Sequence, residues 1–151
     1  MPADLEFISP DDKPALVAVS HPERLAKARS ILTDLDYKVH VATNHEEFLL
    51  RFSKVRYHVV VIEELFASAS AGENQSLAQL QRMPMAHRRN AVIFLLGDRF
   101  QTLHEFQAFQ ASVHAVINSS DADRLRMIIQ QVVADQEEVM RVFGDIQMSL
   151  R

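Results

Sequence analysis

The stretch Tyr57-His58-Val59-Val60-Val61-Ile62-Glu63-Glu64 decides how the rest of the chain is interpreted. Its four consecutive β-branched residues, 59–62, are typical of a strand that is buried on both faces, as in a parallel sheet. Two carboxylates follow at the carboxyl end of this predicted strand. In open α/β sheets that edge is where ligands and reactions usually lie. Glu63 and Glu64 are therefore the first candidates for a functional site.

Short apolar runs alternate with helical patterns on both sides of this strand. The other predicted strands are 15–19, 38–43, 91–96 and 113–117, and the predicted helices are 22–36, 45–54, 76–82, 103–111 and 121–150. Ser20 and Glu23 match the Ser-x-x-Glu capping box at the start of the first helix. Five βα units predict right-handed crossovers and one doubly wound α/β domain of the flavodoxin-like type, with strand order 2-1-3-4-5.

The composition excludes several classes of protein. The chain has 151 residues, 48% hydrophobic and 24% charged, as in a single soluble globular domain. Its net charge of −4, without an excess of clustered lysine and arginine, predicts no nucleic-acid partner. No apolar stretch reaches the roughly 20 residues that a membrane span needs. Residues 1–13 are acidic and contain proline, which predicts a flexible leader rather than a secretion signal, and hence a cytoplasmic protein.

Catalysis and cofactor binding are both disfavoured by the residues present. With no cysteine and only three glycines, the chain lacks thiolate metal ligands and the usual glycine-rich phosphate loop. His21, Glu63, Glu64 and Asp98 could converge at one edge of the sheet, but no metal-ligand spacing supports a site there. Ser20 and His21 are adjacent, yet nothing indicates oxyanion donors or an orienting acid. We therefore expect no enzyme, no metal and no cofactor.

The order and spacing of the elements over residues 14–135 resemble the receiver domain of two-component response regulators, with its CheY-like fold. Val19-Ser20-His21-Pro22-Glu23 lies where receivers often carry acidic residues followed by Pro-Glu. The stretch 57–63 lies where receivers carry Tyr-Asp, four aliphatic residues and the phosphoacceptor aspartate. The resemblance implies a signalling protein with Glu63 at the phosphoacceptor position, or Glu64 if the register slips by one.

The remaining receiver positions hold residues that cannot take the receiver roles. The resemblance places Val19 and Ser20 at the magnesium-binding acidic pair, Leu96 at the switch hydroxyl, Ala115 at the switch aromatic and Asn118 at the lysine. Phosphoryl transfer depends on a metal and a cation to neutralise charge. The resemblance therefore implies a degenerate pseudo-receiver without catalytic residues, which is not phosphorylated and acts through protein–protein contacts.

Two other functions remain open from the sequence. Within the same fold, a degenerate receiver could keep residual phosphorylation on Glu63. From another class, the chain could be a small flavodoxin-like ligand-binding protein or enzyme. Glu63 could mimic a phosphorylated aspartate, or it could be an edge carboxylate that is solvated or bonded to Ser20 or Asn118. The second interpretation is favoured, because Leu96 cannot make the hydroxyl contact that a phosphoryl group triggers.

The last helix continues past the point where a receiver normally ends. Its apolar seam follows alternating steps of four and three, the heptad pattern of a coiled coil: Leu125, Ile129, Val132, Gln136, Val139, Phe143, Ile146 and Leu150. The first half should pack on the domain's own sheet. The second half, in an extension over 136–151, needs a partner. We expect a homodimer through this helix, with a different protein as the alternative; the fourth helix and fifth strand are further candidate surfaces.

Overall fold

Five parallel strands form one sheet in the computed structural model, which describes residues 8–9, 11–84 and 91–149. The strands are β1 (Pro14–Ala18), β2 (Lys38–Val41), β3 (Val59–Glu63), β4 (Val92–Gly97) and β5 (Ala115–Asn118). They lie side by side in the order β2-β1-β3-β4-β5. This confirms the predicted fold class and strand order. Most of the predicted leader, and Leu150 of the predicted seam, lie outside the described residues.

The described part of the chain contains five α-helices. They are α1 (Pro22–Asp34), α2 (His45–Lys54), α3 (Gln75–Arg82), α4 (Glu105–Ala111) and α5 (Leu125–Ser149), with short 3-10 helices at Ala71–Glu73 and Ser119–Arg124. The long last helix is confirmed, but its α-helical part begins at Leu125 because the preceding six residues form 3-10 turns. Within the described residues, no helix is long and apolar enough to cross a membrane.

The central strand β3 is buried on both faces, as its run of β-branched residues predicts. Val60 and Ile62 pack into a core beneath α2, α3 and α4, together with the ring of Phe48. Val59 and Val61 point to the opposite core, which α1 and α5 cover. The alternation of side chains along a strand divides the four residues between the two layers. The strand is therefore held from both sides, and its end at Glu63 has a defined position.

The predicted capping box at the start of α1 is wrong. The residue at the N-cap is His21, and no side chain of the capping residue bonds to the first turn. The hydroxyl oxygen of Ser20 instead accepts a hydrogen bond from the backbone N–H of Ala67, at 2.8 Å. The Ser20 side chain is thus engaged by the loop after β3. The carboxylate of Glu63 accepts from the backbone N–H groups of Ser20 and His21 in its place.

Hydrogen bonds in both directions join the first turn of α2 to the two residues that precede the helix. The Asn44 side chain accepts from the backbone N–H of Glu47 at 2.7 Å. The Glu47 carboxylate accepts from the backbone N–H and the hydroxyl of Thr43, and it also pairs with Arg51. Partial burial alone would raise the pKa of Glu47, but the hydrogen bonds from Thr43 and the charge of Arg51 together lower it.

We expect Glu47→Ala to reduce the free energy of unfolding by about 1 kcal/mol, a typical loss for helix-capping interactions. Because the folded-state pKa of Glu47 is lowered, its contribution is present above the ordinary glutamate pKa and is lost as the pH falls through the lowered value. Urea denaturation of both proteins at several pH values measures this. The exposed neighbour Glu46, changed to Ala, serves as the control; an equal loss there would contradict the capping role.

Candidate functional site

The carboxyl edge of the sheet carries a cavity of about 380 Å³. It lies at the ends of β1, β3 and β4, between α1 and the loop that precedes α4. Its lining includes Ser20, His21, Arg24, Glu63, Glu64 and Arg99. Both carboxylates that the sequence singled out therefore lie here, and two arginines that the sequence did not single out lie beside them.

Glu63 is buried, with 6% of its surface exposed, and both of its carboxylate oxygens are engaged. Oε1 accepts from the backbone N–H of Ser20 at 2.9 Å and from that of His21 at 3.4 Å. Oε2 accepts from Nη1 of Arg24 at 2.5 Å. A carboxylate removed from water needs such partners to remain charged at low cost. Glu63 thus ties β3 to the start of α1.

Arg24 is the partner that sequence reasoning missed. It lies in the first turn of α1, and its side chain is 27% exposed. Its second terminal nitrogen lies 4.0 Å from the carboxylate of Asp98, which follows β4. The one available signal was that a carboxylate ending a buried strand requires a cation. With 16 lysines and arginines in the chain, that signal did not identify which one.

Glu64 has a separate arginine. It is also buried, and its Oε2 accepts from Nε of Arg99 at 2.7 Å. The Arg99 guanidinium lies 4.5 Å from the centre of the Phe100 ring, although the side chain is 66% exposed. The backbone N–H of Glu64 donates to the carbonyl of Leu96 at 2.7 Å. Each glutamate therefore has its own cation, one from α1 and one from the segment after β4.

Asn74 joins the end of β3 to the start of α3. Its side chain is almost completely buried, and its amide donates to the carbonyls of Glu63 and Glu64 at 3.0 and 2.9 Å. Its carbonyl oxygen accepts from the backbone N–H of Leu77 and so caps α3. Asn74 thus links the end of β3 to the start of α3. The bond from Ala67 to Ser20 links the same loop to the segment after β1. Asn74 was not among the site residues predicted from the sequence.

The other predicted site residues lie around the same edge but supply few polar groups. Val19, Leu96 and Ala115 are buried apolar side chains. Asn118 is not bonded to Glu63 as the sequence analysis allowed; its amide donates to the carbonyls of Asp98 and Phe100. Magnesium requires several oxygen ligands, usually including carboxylates. With a valine at one acidic position and Glu63 paired to an arginine, this donor set does not fit magnesium.

The predicted seam of α5 divides at its middle. Its first two members, Leu125 and Ile129, are buried against the sheet, whereas Val132 and Gln136 are half-buried. Beyond them the apolar side chains are about half exposed, at 46% to 59%: Val139, Val142, Phe143 and Ile146. Val142 was not predicted. The nearby helix α4 also exposes Phe106 and Phe109, at 61% and 79%.

The fold has clear relatives among solved structures. A CheY-like response regulator receiver domain from Methanospirillum hungatei JF-1 superposes with a TM-score of 0.65 at 16% identity, covering 85% of this chain and 98% of that one. A response regulator from Hahella chejuensis gives 0.56 at 18%, covering 83% and 93%. A signal receiver domain from Vibrio parahaemolyticus gives 0.66 at 8%, covering 87% and 97%.

These comparisons establish the fold of the chain and nothing beyond the fold. No family model matches the sequence, and no curated protein matches it. The structural neighbours are CheY-like response-regulator receiver domains, and at 8% to 18% identity the likeness establishes a shared architecture. The function of this chain must be argued from its own residues.

We expect Arg24→Met to reduce the free energy of unfolding by about 1–3 kcal/mol, because it leaves the buried Glu63 carboxylate without its cation. Arg126→Met is the matched control. Its pair with Asp34 is about half exposed on both sides, so its loss should cost only about 0–1 kcal/mol. Urea denaturation at neutral pH gives both values. Equal effects of the two substitutions would show that the Arg24–Glu63 contact contributes no more than a surface ion pair.

Proposed function

From the premise of a receiver fold, we propose that the chain is a pseudo-receiver. It is a non-catalytic signalling or regulatory protein that is not phosphorylated and acts through contacts with other protein chains. Residues 14–135 form its receiver-like body, and residues 136–151 form a helical extension that carries the main contact surface. Its role is to present a binding surface rather than to transfer a phosphoryl group.

The observation that carries the first half of the proposal is the complete engagement of Glu63. A phosphoacceptor carboxylate must offer an oxygen for attack while a metal and a cation neutralise the incoming group. Here one oxygen is held by two backbone N–H groups and the other by Arg24. Arg24 supplies from within the chain the positive charge that an exchangeable ion would otherwise provide. The Glu63 carboxylate is thus neutralised within the chain, and neither of its oxygens is left unpaired for attack on a phosphoryl group.

The neighbouring positions support the same conclusion. Leu96 pairs with Glu63 near the end of β4, and its buried side chain has no hydroxyl that could follow a change at the carboxylate. Ala115 opens β5 and is too small to alternate between an inward and an outward position, as a larger side chain could. Neither of these two side chains can therefore carry a change of charge at Glu63 to the surface formed by β4 and β5.

Incubation with acetyl phosphate and magnesium should leave the intact mass of the protein unchanged, because the carboxylate of Glu63 is already paired. A receiver domain with a phosphoacceptor aspartate, treated in the same mixture, controls for the activity of the donor. A mass gain of one phosphoryl group that disappears in Glu63→Gln would overturn the proposal. It would establish residual phosphorylation, the alternative function within this fold.

The second half of the proposal concerns the partner, which we take to be a second copy of the chain. The second half of α5 carries a stripe of exposed apolar side chains: Val139, Val142, Phe143 and Ile146. Val139, Phe143 and Ile146 follow steps of four and three, the spacing of a coiled-coil seam, and Val142 lies beside them. Such a stripe is complementary to itself across a twofold axis. Burial of one such side chain contributes roughly 1.5–3 kcal/mol. The free energy gained by burying four such side chains from each copy can exceed the cost of association, which is about 4–15 kcal/mol.

Sedimentation at tens of micromolar should therefore give a dimer for the full chain and a monomer for a truncation after Asp135. Phe143→Glu should also give a monomer, because it places a charge in the centre of the apolar stripe. Met127→Glu is the matched control: this methionine is also exposed on α5 but lies outside the stripe, so the dimer should persist. A monomeric full chain would contradict self-association, and a dimeric truncation would assign the contact to the receiver-like body.

A further inference from the structure

A groove of about 360 Å³ runs between α4, the start of β5 and α5. Its apolar lining includes Val132 and Val139, so it continues into the exposed stripe of α5. Two histidines also line it, His104 before α4 and His114 before β5. Neither histidine has a role in the carboxylate site. Each one uses the ring nitrogen Nδ1 to hold a backbone N–H group in place.

His114 completes the hydrogen bonding between β4 and the start of β5. Its Nδ1 accepts a hydrogen bond from the backbone N–H of Ile93 at 3.0 Å, and its own backbone N–H donates to the carbonyl of Ile93. Because β5 begins only at Ala115, no strand carbonyl of β5 takes that N–H, and the imidazole accepts in its place. Ile93 is completely buried, so its N–H depends on this acceptor. A ring nitrogen that accepts carries no proton, and the His114 ring is neutral in this arrangement.

His104 has the same chemistry at the start of α4. It occupies the N-cap position, and its Nδ1 accepts from the backbone N–H of Gln107 at 3.2 Å. The ring again accepts rather than donates, so it is neutral with its proton on Nε2. A positive charge at this position would also oppose the helix dipole, which places partial positive charge at the N-terminus of a helix. Protonation at Nδ1 is therefore incompatible with the observed geometry at both histidines.

We propose that the groove is a proton-sensitive surface: uptake of a proton at Nδ1 of His104 and His114 releases the N–H groups of Gln107 and Ile93, and the edge of the groove changes shape. Histidine is the side chain that ordinarily changes charge between about pH 5 and 8. The other titratable groups lining the groove are Glu105 of α4 and Asp135 of α5. No lysine or arginine lines it among the residues that the structure describes.

The two carboxylates determine how the groove responds to proton uptake. When both histidines are charged, Glu105 and Asp135 line the same groove and carry the opposite charge. They are available as charge partners once the bonds from the rings to the backbone break. Under the proposal, proton uptake turns the rings away from the backbone N–H groups and toward these carboxylates. This inference rests on the proposed function only in its last step, that binding along α5 responds to pH because the groove adjoins the exposed stripe.

Hydrogen exchange and ring-nitrogen NMR test the inference on the full chain. In histidine-labelled protein at about pH 8, both Nδ1 atoms should show the shift of an unprotonated ring nitrogen. On acidification to about pH 5.5, the exchange protection of the Ile93 and Gln107 amides, corrected for intrinsic rates, should fall by about tenfold or more. Unchanged protection of both amides, or a proton on Nδ1 at the higher pH, would overturn it.

Asparagine is the matched replacement, because its side-chain oxygen occupies the position of Nδ1, accepts a hydrogen bond and does not titrate. The double variant His104→Asn, His114→Asn should keep both amides protected at either pH. His58→Asn, which changes an exposed histidine outside the groove, should leave the wild-type response intact. An equal loss of protection in the double variant would refute the role of the two rings.

Sedimentation over the same pH range separates this inference from the proposed function. If the wild-type dimer weakens with acid and the double variant does not, the histidines regulate association. A dimer equally stable at every pH, alongside a changed exchange rate, refutes the link to partner binding. A monomer at every pH refutes the homodimer, while the exchange data still decide whether the groove responds to protons.

Discussion

A carboxylate buried at the end of the central strand is the constraint on which the rest of the site depends. β3 is buried on both faces, so the backbone at Glu63 is held in place and its side chain is removed from water. The charge must be neutralised from within, and the fold does this with the backbone at the start of α1 and with Arg24 one turn later. Three elements, β1, α1 and β3, meet through this one side chain.

The arrangement also explains why two arginines flank the edge. Glu64 follows Glu63 directly, and two adjacent buried carboxylates would repel each other if one cation served both. Arg24 approaches from α1 and Arg99 from beyond β4, so the charges alternate around the cavity. Asn74 satisfies the backbone carbonyls of the same two residues from the remaining side. A network with so many internal partners holds this edge of the sheet rigid.

The sequence allowed the fold to be predicted because the signals were local and repeated. Five apolar runs separated by helical periods sufficed for strand order, and the run Val59 to Ile62 identified the central strand. The pairing of charges could not be predicted in the same way. Arg24 meets Glu63 across 39 positions and Arg99 meets Glu64 across 35, so these contacts depend on the packing of whole elements.

The predicted capping box at Ser20 and Glu23 was wrong for a related reason. Ser20 has a suitable neighbour three residues on, but its hydroxyl is engaged by a residue 47 positions away. Local patterns compete with distant partners for the same polar group, and a single sequence does not show which one prevails. The buried half of α5 was foreseeable from its periodicity. The exposure of its second half was foreseeable only from the length of the helix relative to the body.

The continuity of α5 has a mechanical consequence. At 1.5 Å per residue, its 25 residues span about 37 Å without an interruption between body and extension. Ile146 lies ten residues, or about 15 Å, beyond Gln136, so a tilt of about 10° at Gln136 moves Ile146 by roughly 2.6 Å. The first half of the helix is held in the core by Leu125, Ile128 and Ile129, and the exposed second half moves with any tilt beyond it. Small adjustments of packing in the buried half of the helix therefore become displacements of a few ångströms at its far end.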